Sequence, residues 1–237
     1  MKQPTAKSAV PKLTQTERAY TVLKRAILQG EITEGAFLSE AGIMSDYAIG
    51  RTPFREACNR LNREGLLEVI PRHGYLVPEI SFRSVCDLFE TRLILEMAIA
   101  ELAAVRASDQ DIEELNQLAR KPLPAKASKG SFAAVIHANA DFHLRLAKAT
   151  RNRELVDLLT RNLEKTERLQ YIELQFSRSM DKEFRLQHSR IVTALQKRDP
   201  RAVREAVLDD IREAQQATLN FGKWLPSMTE ALSAQSA

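Results

Sequence analysis

Apolar residues near the start of the chain recur at the spacing of amphipathic helices. One such run begins at Thr16 and is followed by Gly30, which suits the position just beyond a helix end. The same spacing predicts a short second helix over residues 38–47 and a third over residues 51–64. Because only a tight turn fits between the last two helices, the pattern favours a helix-turn-helix.

A different pattern follows the third predicted helix. Residues 66–70 and 75–77 are short apolar runs, and residues 71–74 between them include proline and glycine. This combination predicts a β-hairpin. Three helices and a hairpin within about 65 residues form the layout of a winged helix-turn-helix, in which the hairpin is the wing.

From Ser81 onward the pattern is helical, with no alternating run long enough to predict another sheet. Ser108 in a capping box, Ser131 as an N-cap and Pro200 favour helix starts. The predicted helices cover residues 82–106, 109–120, 131–149, 153–178, 181–198 and 201–223. The predicted fold class is therefore mainly α, with an N-terminal winged helix-turn-helix followed by an all-α helical bundle.

Length and composition agree with two domains. The chain has 237 residues, of which 44% are hydrophobic and 28% charged, enough apolar material to bury a core in each domain. A net charge of +4 permits an anionic partner without requiring one. We divide the chain into a flexible arm (1–14), the winged helix-turn-helix (15–79), the helical domain (80–226) and a C-terminal tail (227–237).

Cysteine content and hydropathy bear on the compartment. Cys58 and Cys86 are too few for a disulfide framework, so we expect free thiols and a reducing environment. The polar start of the chain lacks the apolar core of a signal peptide, and two glutamates interrupt the most apolar stretch, residues 93–105. The sequence therefore predicts a cytoplasmic protein that does not cross a membrane.

The third predicted helix begins with groups that suit DNA. Its two arginines lie one turn apart on one face of the helix. There the planar guanidinium group of each can donate hydrogen bonds to O6 and N7 of guanine or bind a phosphate. The hairpin tip would lie against the minor groove or the backbone, where a glycine permits close approach. The predicted DNA contacts are Arg51, Thr52 and Arg55 on the helix and Arg72, His73 and Gly74 on the hairpin. The alternative, solvated surface charges, leaves the three-helix-plus-hairpin layout unexplained.

Polar residues also fall on the apolar faces of three helices of the second domain. They are Asn139, His143, His188 and Asp210. Such groups are costly to bury unless they satisfy one another, a water cluster or a metal. Two imidazoles, a carboxylate and an amide carbonyl suit zinc, nickel or manganese, with positions left for another ligand. For each histidine, a hydrogen-bonded core residue is the alternative.

Arg92 is one charge on an otherwise apolar helical face, which makes it a candidate for binding an effector carboxylate. Glu96 is its expected structural partner. An internal salt bridge is the alternative. The predicted effector contacts are Arg92, Asn139, His143 and His188.

Two rival functions deserve comparison. A metal-dependent enzyme would use His143, His188 and Asp210. No separate general base or nucleophile accompanies these residues, and the winged helix would be unexplained. A helical interaction module whose winged helix binds protein is the third function class.

The N-terminal residues resemble the DNA-binding domain of GntR-family transcription regulators. The matching positions are Tyr20, Leu23, Ile27, Leu28 and Gly30, residues 47–57, Leu61, Glu64, Gly65 and Leu66, and residues 71–77. That family usually has serine where Gly50 stands. Ala41 occupies a place where some members carry an arginine that contacts DNA.

The later segments resemble the FCD domain, the effector domain of the FadR branch of GntR regulators. The matching positions are Arg92, Leu95, Glu96, Ala98, Ala100, Phe142, His143, Asn152, His188, Ile191, Val192, Ala194, Leu195, Asp199 and Ala202. Many such domains use an Asp-x3-His pair and two later histidines as metal ligands. Here Asn139 takes the first position and Asp210 the last, so the choice of metal is open and a metal-free pocket is an alternative.

The resemblance implies a regulator rather than an enzyme, whose operator affinity is controlled by a small organic acid such as a sugar acid or a dicarboxylate. Two half-sites need two winged helices related by a two-fold axis. We therefore expect a homodimer on double-stranded DNA with a pseudo-palindromic operator.

Overall fold

The structure is a computed structural model that describes residues 13–122, 129–176 and 183–222. These residues form two compact units: the first comprises the described residues up to Ile27 and Glu31–Glu79, and the second comprises Leu28–Gly30 and the described residues from Ile80 onward. Most of the predicted arm, all of the predicted tail and part of the loop before the third helix of the second unit lie outside the described residues.

The first unit combines three helices with a small antiparallel sheet. Its elements are α1 (Gln15–Leu28), β1 (Phe37–Leu38), α2 (Glu40–Asp46), α3 (Arg51–Arg63), β2 (Glu68–Ile70) and β3 (Gly74–Leu76). The strand order is β1-β3-β2, with Leu38 opposite Tyr75 and Val69 opposite Tyr75 on the other side. The predicted start of the second helix at Leu38 was wrong. Leu38 pairs with the hairpin, Ser39 caps α2, and the helix begins at Glu40.

The turn between α2 and α3 is fixed by backbone geometry. Ala48 adopts a left-handed conformation (φ 50°) just after α2, and the N–H of Ile49 bonds back to the carbonyl of Met44 at 3.2 Å. This arrangement ends a helix in a single residue. Gly50 then caps α3 without a side-chain hydrogen bond. As a result α3 begins only a few residues after α2 ends, with Arg51 at its start.

A continuous core holds the first unit together. Leu23, Ile27, Phe54, Leu61 and Leu66 are almost completely buried. The ring of Phe54 on α3 also meets that of Tyr75 on β3 edge to face, with centroids 5.7 Å apart. Helix α3 and the hairpin are therefore packed on one another.

The second unit contains helices alone among the described residues. They are α4 (Phe82–Arg106), α5 (Asp109–Arg120), α6 (Lys129–Ala149), α7 (Arg153–Phe176), α8 (Glu183–Gln196) and α9 (Pro200–Gly222). The central α4 packs against α6, α7 and α9, while α5 packs against α6 and α8. The predicted fold class is confirmed. The predicted N-cap at Ser131 was wrong, because α6 already begins at Lys129 and Ser131 lies inside the helix.

Asp111 anchors α5 to α6. Its carboxylate accepts the Ser108 N–H at 2.7 Å in the predicted capping box, and it also pairs with Arg145 at 2.6 Å and Arg151 at 2.7 Å. Although burial opposes the charge, these donors lower the pKa of Asp111. The network holds α6, which carries two of the predicted ligand residues.

Two further observations concern the compartment and the thiols. Within the described ranges, no helix combines the length and the apolar character needed to cross a bilayer. Cys58 is a free, buried thiol and Cys86 a free, partly buried one.

Candidate functional site

The predicted DNA contacts on α3 lie on its exposed face. The side chains of Arg51 and Arg55 are 71% and 58% exposed, and Thr52 is exposed between them. Both arginines meet one carboxylate from α2: Glu40 Oε1 lies 3.0 Å from Arg51 Nε, and Glu40 Oε2 lies 3.1 Å from Arg55 Nη2. The helix-turn-helix thus presents two guanidinium groups joined by a shared acid.

The predicted contacts on the wing lie at a tight turn. The carbonyl of Ile70 accepts the N–H of His73 at 3.0 Å, and Pro71 precedes Arg72, whose φ is 68°. This is the φ sequence of a type II turn. Arg72 and His73 are exposed, while the following Gly74 has a φ of 101°. A type II turn usually has glycine or asparagine where Arg72 stands, so the backbone of this tip is strained.

The second unit brings together five polar side chains from four helices, which we call the polar cluster. They are Arg92 and Glu96 from α4, His143 from α6, His188 from α8 and Asp210 from α9. All five are buried. Since buried charges persist only when paired, the contacts among these groups decide what the cluster does.

Glu96 lies at the centre of the polar cluster. Its Oε1 accepts Arg92 Nε at 2.6 Å, and its Oε2 lies 2.5 Å from His143 Nδ1. An ionised carboxylate can only accept a hydrogen bond, so at this distance the Nδ1–H of His143 donates to Glu96. The other ring nitrogen, Nε2, is therefore the one directed at the remaining members.

Three ligand atoms meet beyond that imidazole. His143 Nε2 lies 3.2 Å from Asp210 Oδ2 and 3.4 Å from His188 Nε2, and His188 Nε2 lies 3.9 Å from Asp210 Oδ1. Ligand atoms of these three residues all fall within 4.8 Å of one another. Asn139, one turn before His143 on α6, is also buried.

The two imidazoles have opposite protonation preferences. Burial disfavours the charged form of both rings, but for His143 the carboxylates of Glu96 and Asp210 prevail and raise its pKa to about 9. Burial, with the positive charges of His143 and Arg92, lowers the pKa of His188 to about 3. Against their burial, the pKa values of Glu96 and Asp210 are lowered by these same cations. Without a metal, His143 is thus an imidazolium that donates to two carboxylates.

Two further contacts complete the description of the polar cluster. The ring of His188 stacks on that of Phe142, with centroids 3.8 Å apart and planes 12° from parallel, which fixes the orientation of His188. Nη1 and Nη2 of Arg92 are buried, and none of the described residues accepts a hydrogen bond from either. Buried charged donors without acceptors are strongly unfavourable, so this end of Arg92 suits an anion.

Sequence reasoning missed three of these contacts. Glu96 was assigned to Arg92 alone, yet it also holds His143; the stacking of Phe142 on His188 and the link of Glu40 to both arginines were not foreseen. The sequence did indicate that Glu96 is buried, because it falls four residues after Arg92 on the same face of α4. The other two contacts depend on how helices pack, which periodicity does not specify.

The chain combines a winged helix-turn-helix with a helical unit that contains a buried polar cluster. This is the layout of transcription regulators in which one polypeptide carries both a DNA-binding domain and an effector-binding domain. Two family profiles match the chain. Residues 15–77 match the bacterial regulatory proteins of the gntR family, and residues 87–213 match the FCD domain. The chain belongs to the GntR family of DNA-binding transcription regulators, in the group with an FCD effector domain.

Relatives of this chain are transcription regulators as well. The chain is 30% identical to the Nta operon transcriptional regulator of Aminobacter aminovorans over 68% of its own length and 74% of that protein's. It is 28% identical to the transcriptional repressor RspR of Escherichia coli, over 83% and 86% of the two lengths. The structure of E. coli McbR/YncC has the same fold, with a TM-score of 0.75 at 21% identity over 90% of this chain and all of that one. These relatives are regulators of transcription, not enzymes.

The polar cluster predicts split titration of the two buried histidines. In metal-free protein, imidazole NMR signals should show His143 still protonated at pH 8 and His188 still neutral at pH 5. Because the folded-state pKa of His143 lies above its ordinary value of 6.5, its stabilising effect should be complete below that pH and fade as pH rises through about 9. Titration of both rings together near pH 6.5 would show that the cluster is not coupled as described.

Proposed function

We propose that this regulator binds a pseudo-palindromic operator as a cytoplasmic homodimer, and that a divalent metal and a small organic acid bound in the polar cluster control its operator affinity. The observation that carries the proposal is the buried guanidinium of Arg92. Its Nη1 and Nη2 have no acceptor among the described residues, and the same guanidinium pairs with Glu96, which also contacts His143, one member of a set of metal-type ligands.

The exposed face of α3, which we propose as the recognition helix that enters the major groove, supports the DNA-binding part of the proposal. Arg51 and Arg55 lie side by side at the start of α3, where each retains guanidinium donors beyond those that face Glu40. We propose that Thr52 contacts a phosphate and that the wing tip contacts the adjacent backbone or minor groove. Arg72, His73 and Gly74 form that tip.

The donor set fits a divalent metal. Ligand atoms about 2.0–2.2 Å from a tetrahedral ion are themselves about 3.3–3.6 Å apart. The separations of His143 Nε2 from His188 Nε2 and from Asp210 Oδ2, 3.4 and 3.2 Å, are close to this range, and His188 Nε2 lies somewhat farther, 3.9 Å, from Asp210 Oδ1. We propose these three side chains as ligands, with Asn139 as a fourth, for zinc, nickel or manganese. The bound metal would supply a Lewis-acidic anchor for an effector oxygen.

Charge balance links this metal site to an organic acid. In the metal-free cluster, Arg92 and protonated His143 offset the carboxylates of Glu96 and Asp210. When His143 gives up its Nε2 proton to ligate a divalent ion, the cluster holds one surplus positive charge. An effector carboxylate on Arg92 restores neutrality, and therefore a sugar acid or dicarboxylate is the proposed class. Operator affinity would change because the effector binds one arrangement of the protein more tightly than another.

The homodimer is supported by exposed apolar residues on α4. Ile94 and Val105, 62% and 73% exposed, lie eleven residues apart and hence on one face of the helix, which also carries exposed Ala98 and exposed Glu101, the latter paired with Arg204 of α9. A face of this kind is typical of a self-association surface, and the occupant we propose is the same helix of a second copy.

Alanine substitution tests the recognition helix. Arg51→Ala and Arg55→Ala should each weaken binding to a selected operator by about 1–3 kcal/mol if the arginine reads a base, measured by gel shift at fixed salt. Arg63→Ala, which removes an exposed charge from the far end of α3, is the matched control. Unchanged operator affinity in the Arg51, Arg55 double variant would refute the assignment.

Elemental analysis tests the metal site. After incubation with zinc, nickel or manganese and desalting, wild-type protein should retain one ion per chain and the His143→Ala, His188→Ala double variant none. His137→Ala removes an exposed imidazole from α6 and should retain the ion. A wild-type protein that holds no metal under these conditions would contradict the metal proposal.

Sedimentation tests the dimer. Wild-type protein should sediment as a dimer at micromolar concentration, and Ile94→Glu should shift it toward monomer, because two charges would face each other across a two-fold axis. A wild-type monomer with full operator affinity would be incompatible with this proposal.

A further inference from the structure

The link between α2 and α3 has a consequence for how DNA sequence is read. Glu40 is the first residue of α2, and its carboxylate spans the two arginines at the start of α3. We propose that Glu40 is a positioning residue for sequence readout, which holds Arg51 and Arg55 in a fixed pair and raises the preference of the protein for its operator over other DNA.

The placement of Glu40 suits this role. Ser39 caps α2 by accepting the N–H of Gly42 at 3.2 Å, which fixes the backbone beside Glu40. Oε2 of Glu40 accepts a hydrogen bond from Arg55 Nη2. Oε1 is shielded from solvent and lies 3.0 Å from Nε of Arg51 as an ion pair, without the geometry of a hydrogen bond. The carboxylate is therefore directed at the arginines rather than at water.

A support of this kind matters because both arginines are long, exposed side chains. Both are more than half exposed, and ordering a long side chain on binding costs rotamer entropy, which a preformed contact reduces. An arginine offers five donors, and Glu40 faces only the Nε edge of Arg51 and one Nη of Arg55. Both terminal nitrogens of Arg51 remain available as a fork for O6 and N7 of guanine.

The charge of Glu40 acts in the same direction. On non-operator DNA, where the arginines meet phosphates and not bases, a carboxylate between them repels the backbone. On the operator, the same carboxylate keeps the guanidinium groups in their reading geometry. Loss of Glu40 should accordingly strengthen binding to random DNA while weakening or leaving unchanged binding to the operator.

This inference rests on the proposed role of Arg51 and Arg55 as DNA contacts. The experiment measures affinity for a duplex selected by the wild-type protein and for a random-sequence duplex of equal length, at one salt concentration. Glu40→Gln removes the charge at equal size. Glu40→Asp keeps the charge but shortens the side chain, so that it no longer spans both arginines. Asp46→Asn, which removes an exposed carboxylate from the other end of α2, is the control, and thermal unfolding verifies that each variant is folded.

We expect both Glu40 variants to lower the ratio of operator to random-DNA affinity by about tenfold or more, the size of one good base contact, whereas Asp46→Asn changes both affinities equally. In a chain that already carries Arg51→Ala and Arg55→Ala, Glu40→Gln should lower the ratio no further.

Three results would overturn the inference. If Glu40→Gln and Glu40→Asp keep the wild-type ratio while the arginine variants lose it, Glu40 does not position them and the proposed DNA contacts stand. If Glu40→Gln still lowers the ratio after both arginines are removed, it acts by another route. If the arginine double variant itself keeps the wild-type ratio, the recognition-helix assignment and this inference fall together.

Discussion

The helical domain depends on one buried carboxylate. Glu96 accepts Arg92 Nε and the Nδ1–H of His143, and both contacts are removed from solvent. Without Glu96, the guanidinium of Arg92 would lose its carboxylate partner, and Asp210 alone would offset two buried cations, an arrangement that is strongly destabilising. The carboxylate also decides which nitrogen of His143 is directed at His188 and Asp210. A single side chain therefore sets both the charge and the geometry of the polar cluster.

This constraint explains how two ligands become coupled in the proposed function. The metal-type donors and the free end of Arg92 belong to one balanced set of charges, so a change at one end alters what the other end binds best. A carboxylate effector and a divalent ion each compensate a charge that the other leaves uncovered. A carboxylate shared between two cationic side chains also occurs in the DNA-binding unit, where Glu40 pairs with Arg51 and Arg55.

The sequence predicted most of the helices because their buried faces follow the 3.6-residue period, and for the same reason it placed Asn139, His143, His188 and Asp210 inside the helical domain. It did not predict β1, since two residues carry too little pattern and Leu38 is ordered by pairing with Tyr75. Nor did it predict that Glu96 meets His143, because periodicity defines the face on which a residue lies but not the helix that covers it. The family resemblance supplied the expected ligand positions, whereas the protonation states came only from the distances.

The most direct test of the role of Glu96 is the zinc affinity of Glu96→Gln, measured by competition with a chelator and compared with wild type and Arg92→Gln. Outer-shell partners of histidine ligands typically contribute about 10–100-fold in metal affinity. We predict a loss of this size for Glu96→Gln and none for Arg92→Gln, which keeps the contact of Glu96 with His143 and removes a nearby positive charge. Equal zinc affinity in wild type and Glu96→Gln would contradict the account.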